Sequence, residues 1–308
     1  MLEQVLSVLG GRMLERWLAL ALQPLVFGLC CLSAVVWSDG DLHRVRAAAA
    51  WLEKAGTPVT VVLVLAALLG LAGCGLAVLA LAGPLLRFLQ GGGPLWRIGR
   101  LGVRRSEAAA RAAARTQAEW QQAYLRMTRP GAGPADLTAY QRLERDRRRR
   151  PHVAAYATPT RLGNLVRASE RRIADRYGLD PAVVWPGLSR LLPEPLVREA
   201  GETRAALDRA VAAMVWGAVF AVAMRPFTWW AVPAGLAVVL VAHVGVLPAR
   251  ARRFTGVMEA AFAVHRGELY RALRRPLPAT PAEERVTGAA LTTYLWRGSG
   301  SAGFRFTP

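Results

Sequence analysis

The chain has 308 residues, of which 53% are hydrophobic, yet it carries a formal net charge of +19. A single soluble domain seldom combines a positive mean hydropathy with so large a charge, so the apolar and basic residues must be segregated along the chain. The three cysteines, Cys30, Cys31 and Cys74, all lie in apolar runs, which excludes the polar-loop pattern of a secreted disulfide framework. We expect three buried free thiols.

The first predicted element is a transmembrane helix at residues 17–37, which follows a cytoplasmic N-terminus at 1–16. This helix has no charged residue, and about 20 apolar residues cross the roughly 30 Å hydrocarbon core of a bilayer. The competing interpretation is a secretory signal peptide, whose apolar core is normally about 7–15 residues long and ends in a small-x-small cleavage site. Neither feature is present here, so the segment predicts a span.

A predicted external loop at 38–57 leads to a second span at 58–86. This span is uncharged and longer than the hydrocarbon requires, so it must tilt or bend. Ala66, Gly70 and Cys74 place small residues at every fourth position, which would let another helix approach closely. The alternative is that alanine and glycine are simply common in a membrane helix of this composition.

Residues 87–206 predict a basic, helical, cytoplasmic section, because no apolar run within them approaches spanning length. The sequence predicts three helices in this section. They are an alanine-rich helix from Arg104 to about Arg126, an amphipathic helix from Pro159 to Tyr177, and a short helix opened by Asp180 and Pro181.

A second hairpin is predicted near the end of the chain, with spans at 207–224 and 229–248 joined by an external turn at 225–228. A cytoplasmic tail at 249–308 follows. The uninterrupted apolar run of the third span is only 15 residues, about 22 Å of helix, so a re-entrant loop is the alternative. Three small residues form a stripe in this hairpin: Ala213, Gly217 and Ala221.

The orientation follows from the basic residues near the ends of the spans. Most of them gather on the side of the middle section and the two termini, while the other side has only Arg44, Arg46, Lys54 and Arg225. Because basic residues concentrate on the cytoplasmic side, both termini should be cytoplasmic. The sequence therefore predicts an all-α, multi-pass integral protein of the cell membrane, with two transmembrane helical hairpins and a basic helical cytoplasmic section.

Two polar features are candidate sites. A cluster of five arginines could contact anionic lipid headgroups, where each arginine near the surface contributes about 1 kcal/mol; its members are Arg145, Arg147, Arg148, Arg149 and Arg150. Nucleic acid is not the favoured partner, because the stacking aromatics that single-strand binders use are sparse between these arginines. His243 is an ionisable residue inside a predicted span, which makes it a candidate intramembrane polar site, or a neutral imidazole bonded to a neighbouring helix.

The sequence predicts no catalytic, cofactor-binding or metal site. It contains no nucleophile elbow, phosphate-binding loop, dinucleotide fingerprint or kinase signature. The four histidines and the three cysteines also lack the spacing of a metal site.

Three functions remain open, in a fixed order of preference. The first is a non-enzymatic, membrane-anchored scaffold or interaction protein, whose basic cytoplasmic face binds a protein partner or the inner leaflet. The second is a subunit of an oligomeric channel or transporter, since four spans are few for a transporter that acts as a monomer. The third is a membrane-embedded enzyme.

Two stretches resemble a group of uncharacterised actinobacterial multi-pass membrane proteins with no established activity. The first includes Thr158–Asn164, Glu170, Tyr177–Asp180, Trp185–Pro186 and Leu191–Pro193, and the second includes His265–Arg266, Leu269–Tyr270, Pro276–Pro278, Glu283–Glu284 and Leu291–Arg297. Together they cover about a third of the chain. The group tends to have an aspartate before its leucine-histidine-arginine, where this chain has Ala263-Val264-His265-Arg266. The resemblance implies a membrane topology, and the departure argues against a catalytic role at this position.

Overall fold

The computed structural model describes residues 22–38, 43–93, 96 and 99–298 of the chain. This part of the chain forms helices and no strands, so the predicted all-α class is confirmed for it. The helices, in chain order, are α1 Leu22–Ser38, α2 His43–Leu89, α3 Arg100–Met127, α4 Pro134–Arg147, α5 Arg161–Tyr177, α6 Pro181–Leu188, α7 Glu194–Ala223, α8 Ala231–Val241, α9 Leu247–Ala272 and α10 Pro281–Arg297. A 3₁₀ turn, Ala154–Tyr156, precedes α5, and a π-helical turn, Ala242–Val246, joins α8 to α9.

Three helical segments are long and apolar enough to cross a membrane: Gly56–Leu89, Glu194–Ala223 and Ala231–Ala272. They contain the predicted span at 58–86 and nearly all of the ones at 207–224 and 229–248. The predicted span at 207–224 is not broken in its middle, as a re-entrant loop would be, because α7 is continuous to Ala223. The predicted span at 17–37 is represented by the shorter apolar helix α1, and its first five residues lie outside the described ones.

The bend that the sequence requires in its second span is found just before that span begins. Gly56 has a φ of +80°, which glycine adopts without a steric cost, and Pro58 lacks the N–H that a continuous helix would use there. Residues 43–55 are helical, so most of the predicted loop at 38–57 forms a helix. The reason is the run Ala47–Ala50, since alanine is the strongest helix former.

Contacts along the chain divide it into two compact units. The first unit consists of residues 1–86 and 208–247, and the second consists of residues 87–207 and 248–308. The first unit holds α1, α8 and the apolar parts of α2 and α7, whereas α3 to α6, nearly all of α9 and α10 belong to the second.

In the first unit, α7 and α8 approach each other closely through small residues. A Cβ atom on Gly235 of α8 would lie 2.4 Å from the carbonyl oxygen of Gly217 and 2.7 Å from the Cβ atom of Ala221, both in α7. The predicted stripe therefore contributes Gly217 and Ala221 to a helix–helix contact of the small-xxx-small kind. The stripe in α2 is different, because a Cβ atom on Gly70 would meet nothing within 4 Å in the described part of the chain.

Many apolar side chains of the first unit lie on the surface of the protein. Val62 is 64% exposed and Leu69 is 69% exposed, although both lie in the longest apolar run of the sequence. The cysteines are free thiols, as expected, but Cys30 and Cys74 are exposed rather than buried. These thiols lie on apolar helix faces that match hydrocarbon, which explains why an apolar run did not imply burial within the protein.

The second unit has a core to which α5, α6, α9 and α10 contribute. Its largest fully buried side chains include Phe262 and Tyr270. Local signals in the sequence set the helix ends: the Thr160 hydroxyl accepts a hydrogen bond from the Gly163 N–H (3.0 Å), and the Asp180 carboxylate accepts one from the Ala182 N–H (2.9 Å). The predicted helices that end at Tyr177 and begin at Pro181 are thereby confirmed.

The helix α4 was not predicted. It begins at Pro134, where the Asp136 carboxylate accepts a hydrogen bond from the Gly133 N–H (3.2 Å), and it packs along α3. None of its residues is buried, so it has no apolar face that a periodic pattern would reveal. Helix α4 and the preceding α3 form a hairpin that carries the arginine cluster at its end.

Candidate functional site

The arginine cluster lies where α4 ends and the chain turns toward α5. Arg145 and Arg147 belong to the last turn of α4, and Arg148, Arg149 and Arg150 follow it. The last turn of a helix is a favourable place for cations, because the unpaired carbonyls there carry partial negative charge. The sequence thus places five guanidinium groups at one end of the hairpin.

Two arginines of the cluster attach α4 to α3. The Arg147 Nε donates a hydrogen bond to Gln117 Oε1 (2.8 Å), and its guanidinium carbon lies 4.2 Å from the centroid of the Trp120 ring. Arg150 Nη1 donates to Thr116 Oγ1 (3.0 Å) and to the carbonyl oxygen of Ala112 (3.2 Å). These contacts tie both guanidinium groups to α3, and the half-buried Arg147 is less accessible to an external anion than the exposed Arg150.

The other three arginines keep most of their donors exposed. Arg148 is 69% exposed and is paired with Glu144 (3.2 Å), and Arg149 is 56% exposed and is paired with Asp146 (3.3 Å). The exposed Arg145 donates its Nε hydrogen to the carbonyl of Gln141 (3.2 Å). A guanidinium has five N–H donors, so each of these groups can still contact an anion. Arg145, Arg148 and Arg149 are the members of the predicted cluster that none of these contacts ties to α3.

Aromatic side chains stabilise the hairpin beside the cluster. The ring centroids of Trp120 and Tyr124 are 5.6 Å apart, and Tyr140 of α4 lies 6.1 Å from Trp120. The sequence alone does not reveal this aromatic group, because Tyr140 is 20 residues away from Trp120 in the chain. A pattern of Trp and Tyr four residues apart on α3 was the available signal, since such residues share one face of a helix.

His243 lies apart from the arginine cluster, in the other unit. It belongs to the π-helical turn Ala242–Val246, and its side chain is exposed on the protein surface. No hydrogen bond joins its imidazole to any residue that the structure describes, so the expected bond to a neighbouring helix is not found there. His243 is therefore the one polar side chain that the described residues contribute to the predicted intramembrane site.

An acidic cleft in the second unit was not identified from the sequence. It has a volume of about 210 Å³ and lies between α5, α6 and the start of α9, with Glu170 among largely apolar lining residues. Burial raises the pKa of the Glu170 carboxyl, and the neighbouring Asp180 raises it further, while Arg167 acts in the opposite direction. A perturbed carboxyl in a cleft is a candidate binding group.

Beside this cleft lies a polar network that is already satisfied. The Ser169 hydroxyl donates a hydrogen bond to Glu259 Oε1 (2.6 Å), and Arg172 Nη2 forms an ion pair with the same carboxylate (2.5 Å). Arg172 also donates to the carbonyl of Arg148 (2.6 Å), which fixes the turn after α4 to α5. The network is therefore structural, and it holds Ser169 away from any role as a free nucleophile.

Within the described ranges there is no group of three His, Cys, Asp or Glu side chains that could hold a metal ion. No protein-family model, curated protein or solved structure matches this chain.

Proposed function

We propose that the protein is a four-span scaffold of the cell membrane, without an enzymatic activity of its own. In this proposal the termini and the section 87–206 are cytoplasmic, and the α3–α4 hairpin binds the anionic headgroups of the inner leaflet or a protein partner. Assembly of this scaffold into a homo-oligomer is compatible with the proposal, and nucleic acid is not the expected partner.

One observation carries the proposal: the basic hairpin is an ordered element whose charge is largely unneutralised. The chain has 13 arginines but only five acidic residues between positions 100 and 150. Two arginines of the cluster hold α4 against α3, so the remaining three are presented on a fixed support rather than on a loose segment. Basic residues next to membrane helices gain free energy at an anionic leaflet, and the gain is screened by salt.

The topology is tested by labelling single cysteines with an impermeant maleimide on intact cells. In a cysteine-free background, the positions are Ser38, Ser106, Thr228 and Ser299. We expect labelling only at Ser38 and Thr228. Protection at Thr228 would show that the last two apolar helices do not cross the membrane, and the four-span proposal would be wrong.

The lipid contact is tested with the full chain in nanodiscs that contain either neutral lipid alone or about 30% anionic lipid. We expect the anionic lipid to slow amide exchange in residues 134–150, and the triple variant Arg145→Gln, Arg148→Gln, Arg149→Gln to abolish this effect. A matched control removes three exposed arginines elsewhere in the same hairpin: Arg126→Gln, Arg129→Gln, Arg142→Gln. If both variants behave alike, total charge explains the effect and the cluster has no special part in it.

The second candidate is a subunit of an oligomeric channel or transporter. The observation that favours it is the open stripe around Gly70 in α2, which no described residue of the same chain covers and which a second copy could pack against. Ion or solute flux into vesicles that contain the purified protein tests this candidate. Vesicles that stay inert under all gradients would exclude it and leave the scaffold.

A further inference from the structure

The acidic cleft, defined above by α5, α6 and the start of α9, lies within the second unit. Its walls are mostly apolar, with Trp185 of α6, Phe254 and Met258 of α9, and Ile173 and Val166 of α5. The cleft has a volume of about 210 Å³ and is open to solvent on one side. Such a space admits a small organic molecule.

The polar groups of the lining are nearly all satisfied within the protein. The Ser169 hydroxyl donates to Glu259, and the Thr255 hydroxyl donates to the carbonyl of Arg252 (3.1 Å). Glu170 is the charged side chain among the described residues that line the cleft. Its Oε2 accepts a hydrogen bond from Arg167 (3.1 Å), and its Oε1 accepts none from a described residue. One carboxylate oxygen is therefore available to a ligand.

The surroundings of this carboxylate favour a cation over other ligands. Arg167 is 52% exposed, so solvent screens its charge and its ion pair compensates for little of the burial of Glu170. Asp180, at the start of α6, adds negative potential at the same carboxyl group. An anion would be repelled by both carboxylates, and a neutral apolar molecule would leave the Glu170 oxygen without a partner.

We propose that the cleft binds a small organic ammonium ion with an apolar body. The ammonium group donates a hydrogen bond to Glu170 Oε1, and the potential of Asp180 strengthens this interaction. The apolar body packs between Trp185, Phe254 and Met258, and the Trp185 ring is also a favourable surface for a cation. This site is independent of the arginine cluster and of the membrane topology.

The probe is phenethylammonium, which combines an ammonium group with one aromatic ring. Two molecules of similar shape serve as comparisons: neutral 2-phenylethanol and anionic 3-phenylpropionate. Binding to the full chain in detergent is measured by isothermal titration and by chemical-shift changes of methionine methyl groups, including Met258. We expect phenethylammonium to bind at least about tenfold more tightly than the alcohol, and the anion to give no signal.

The Glu170→Gln variant preserves the shape of the side chain and should abolish the preference for the amine over the alcohol. Asp180→Asn is the second variant, because asparagine still caps α6 while the charge is lost; we expect a smaller, several-fold loss of amine affinity. Glu119→Gln, an exposed change on α3, is the control and should leave the preference intact. Equal binding of amine and alcohol to the wild type, or an unchanged preference in Glu170→Gln, would overturn the proposal.

Discussion

The two units of this protein use apolar residues in opposite ways. In the first unit, Val62 and Leu69 lie on the surface of a continuous apolar helix, whereas in the second unit Phe262 and Tyr270 are fully buried between helices. A helix in lipid can expose apolar side chains at no cost, so helix contacts there depend on close backbone approach. In water the same side chains must be covered, so helix contacts there depend on a hydrophobic core.

Arginine shows the same contrast between the units. In the first unit, Arg46, Lys54 and Arg225 lie near the ends of the two parts of α2 or in the turn after α7, whereas Arg209 lies within α7. In the second unit arginines take part in the fold itself, since Arg147 and Arg172 connect helices through hydrogen bonds and ring contacts. The number of arginines in the sequence therefore overstates the number of guanidinium groups that are free to bind a partner.

The largest expected effect tests whether helix contacts in the first unit depend on close backbone approach at small residues. We expect Gly235→Leu to destabilise the protein by about 3 kcal/mol or more, because the new side chain would collide with the backbone of Gly217 and could not be relieved by a rotamer change. The measurement is thermal unfolding of the full chain in detergent, with protease sensitivity of the turn at 224–230 as a second readout.

The control for this change is Gly70→Leu in α2, which places the same side chain where no described atom lies within 4 Å. We expect it to leave the stability nearly unchanged. Equal destabilisation by the two variants would mean that hydrophobicity or helix propensity, rather than close packing, controls the first unit.

A smaller effect tests the structural use of arginine in the second unit. We expect Arg147→Gln to lower the stability of the α3–α4 hairpin locally by about 1–2 kcal/mol, since it removes a charge-assisted hydrogen bond to Gln117 and the cation contact with Trp120. Amide exchange of residues 134–147 should accelerate accordingly. Arg145→Gln, which removes an exposed guanidinium from the same helix, should leave this exchange rate unchanged.

The smallest expected effect concerns pH and the Glu170 carboxyl. Because burial raises its pKa in the folded state, the folded protein binds more protons than the unfolded chain between the ordinary carboxyl pKa of 4.5 and the raised value. The contribution of Glu170 to stability therefore falls as the pH rises through that window. Denaturation of wild type and Glu170→Gln from pH 4 to pH 8 should show the variant gaining stability relative to wild type as the pH rises.

The Glu119→Gln variant should show no such gain, because Glu119 is exposed on α3. If the free energy of unfolding of Glu170→Gln runs parallel to that of wild type from pH 4 to pH 8, the cleft does not destabilise the ionised carboxylate. The argument for a cation in the cleft would then lose its electrostatic basis.

Much of the helical framework was predictable from local patterns. The uncharged run at 58–86 and the cap Asp180 act over one or two helix turns, so the residues themselves specify these helices. Helix α4 was not predictable in this way, because it buries no residue and its apolar contacts come from the facing side of α3. The acidic cleft was not predictable either, since Glu170, Trp185 and Met258 are far apart in the chain.

The sequence by itself determined which segments are apolar enough to span a membrane, where most helices begin and end, and which segments carry the positive charge. Only the tertiary structure decided that Gly217 and Gly235 meet while Gly70 stays open, that Arg147 is used in packing while Arg148 stays exposed, and that Glu170 faces an apolar cleft. The physical reason is range: hydropathy, propensity and capping act between neighbours in the chain, whereas burial, close approach and desolvation depend on residues that only folding brings together.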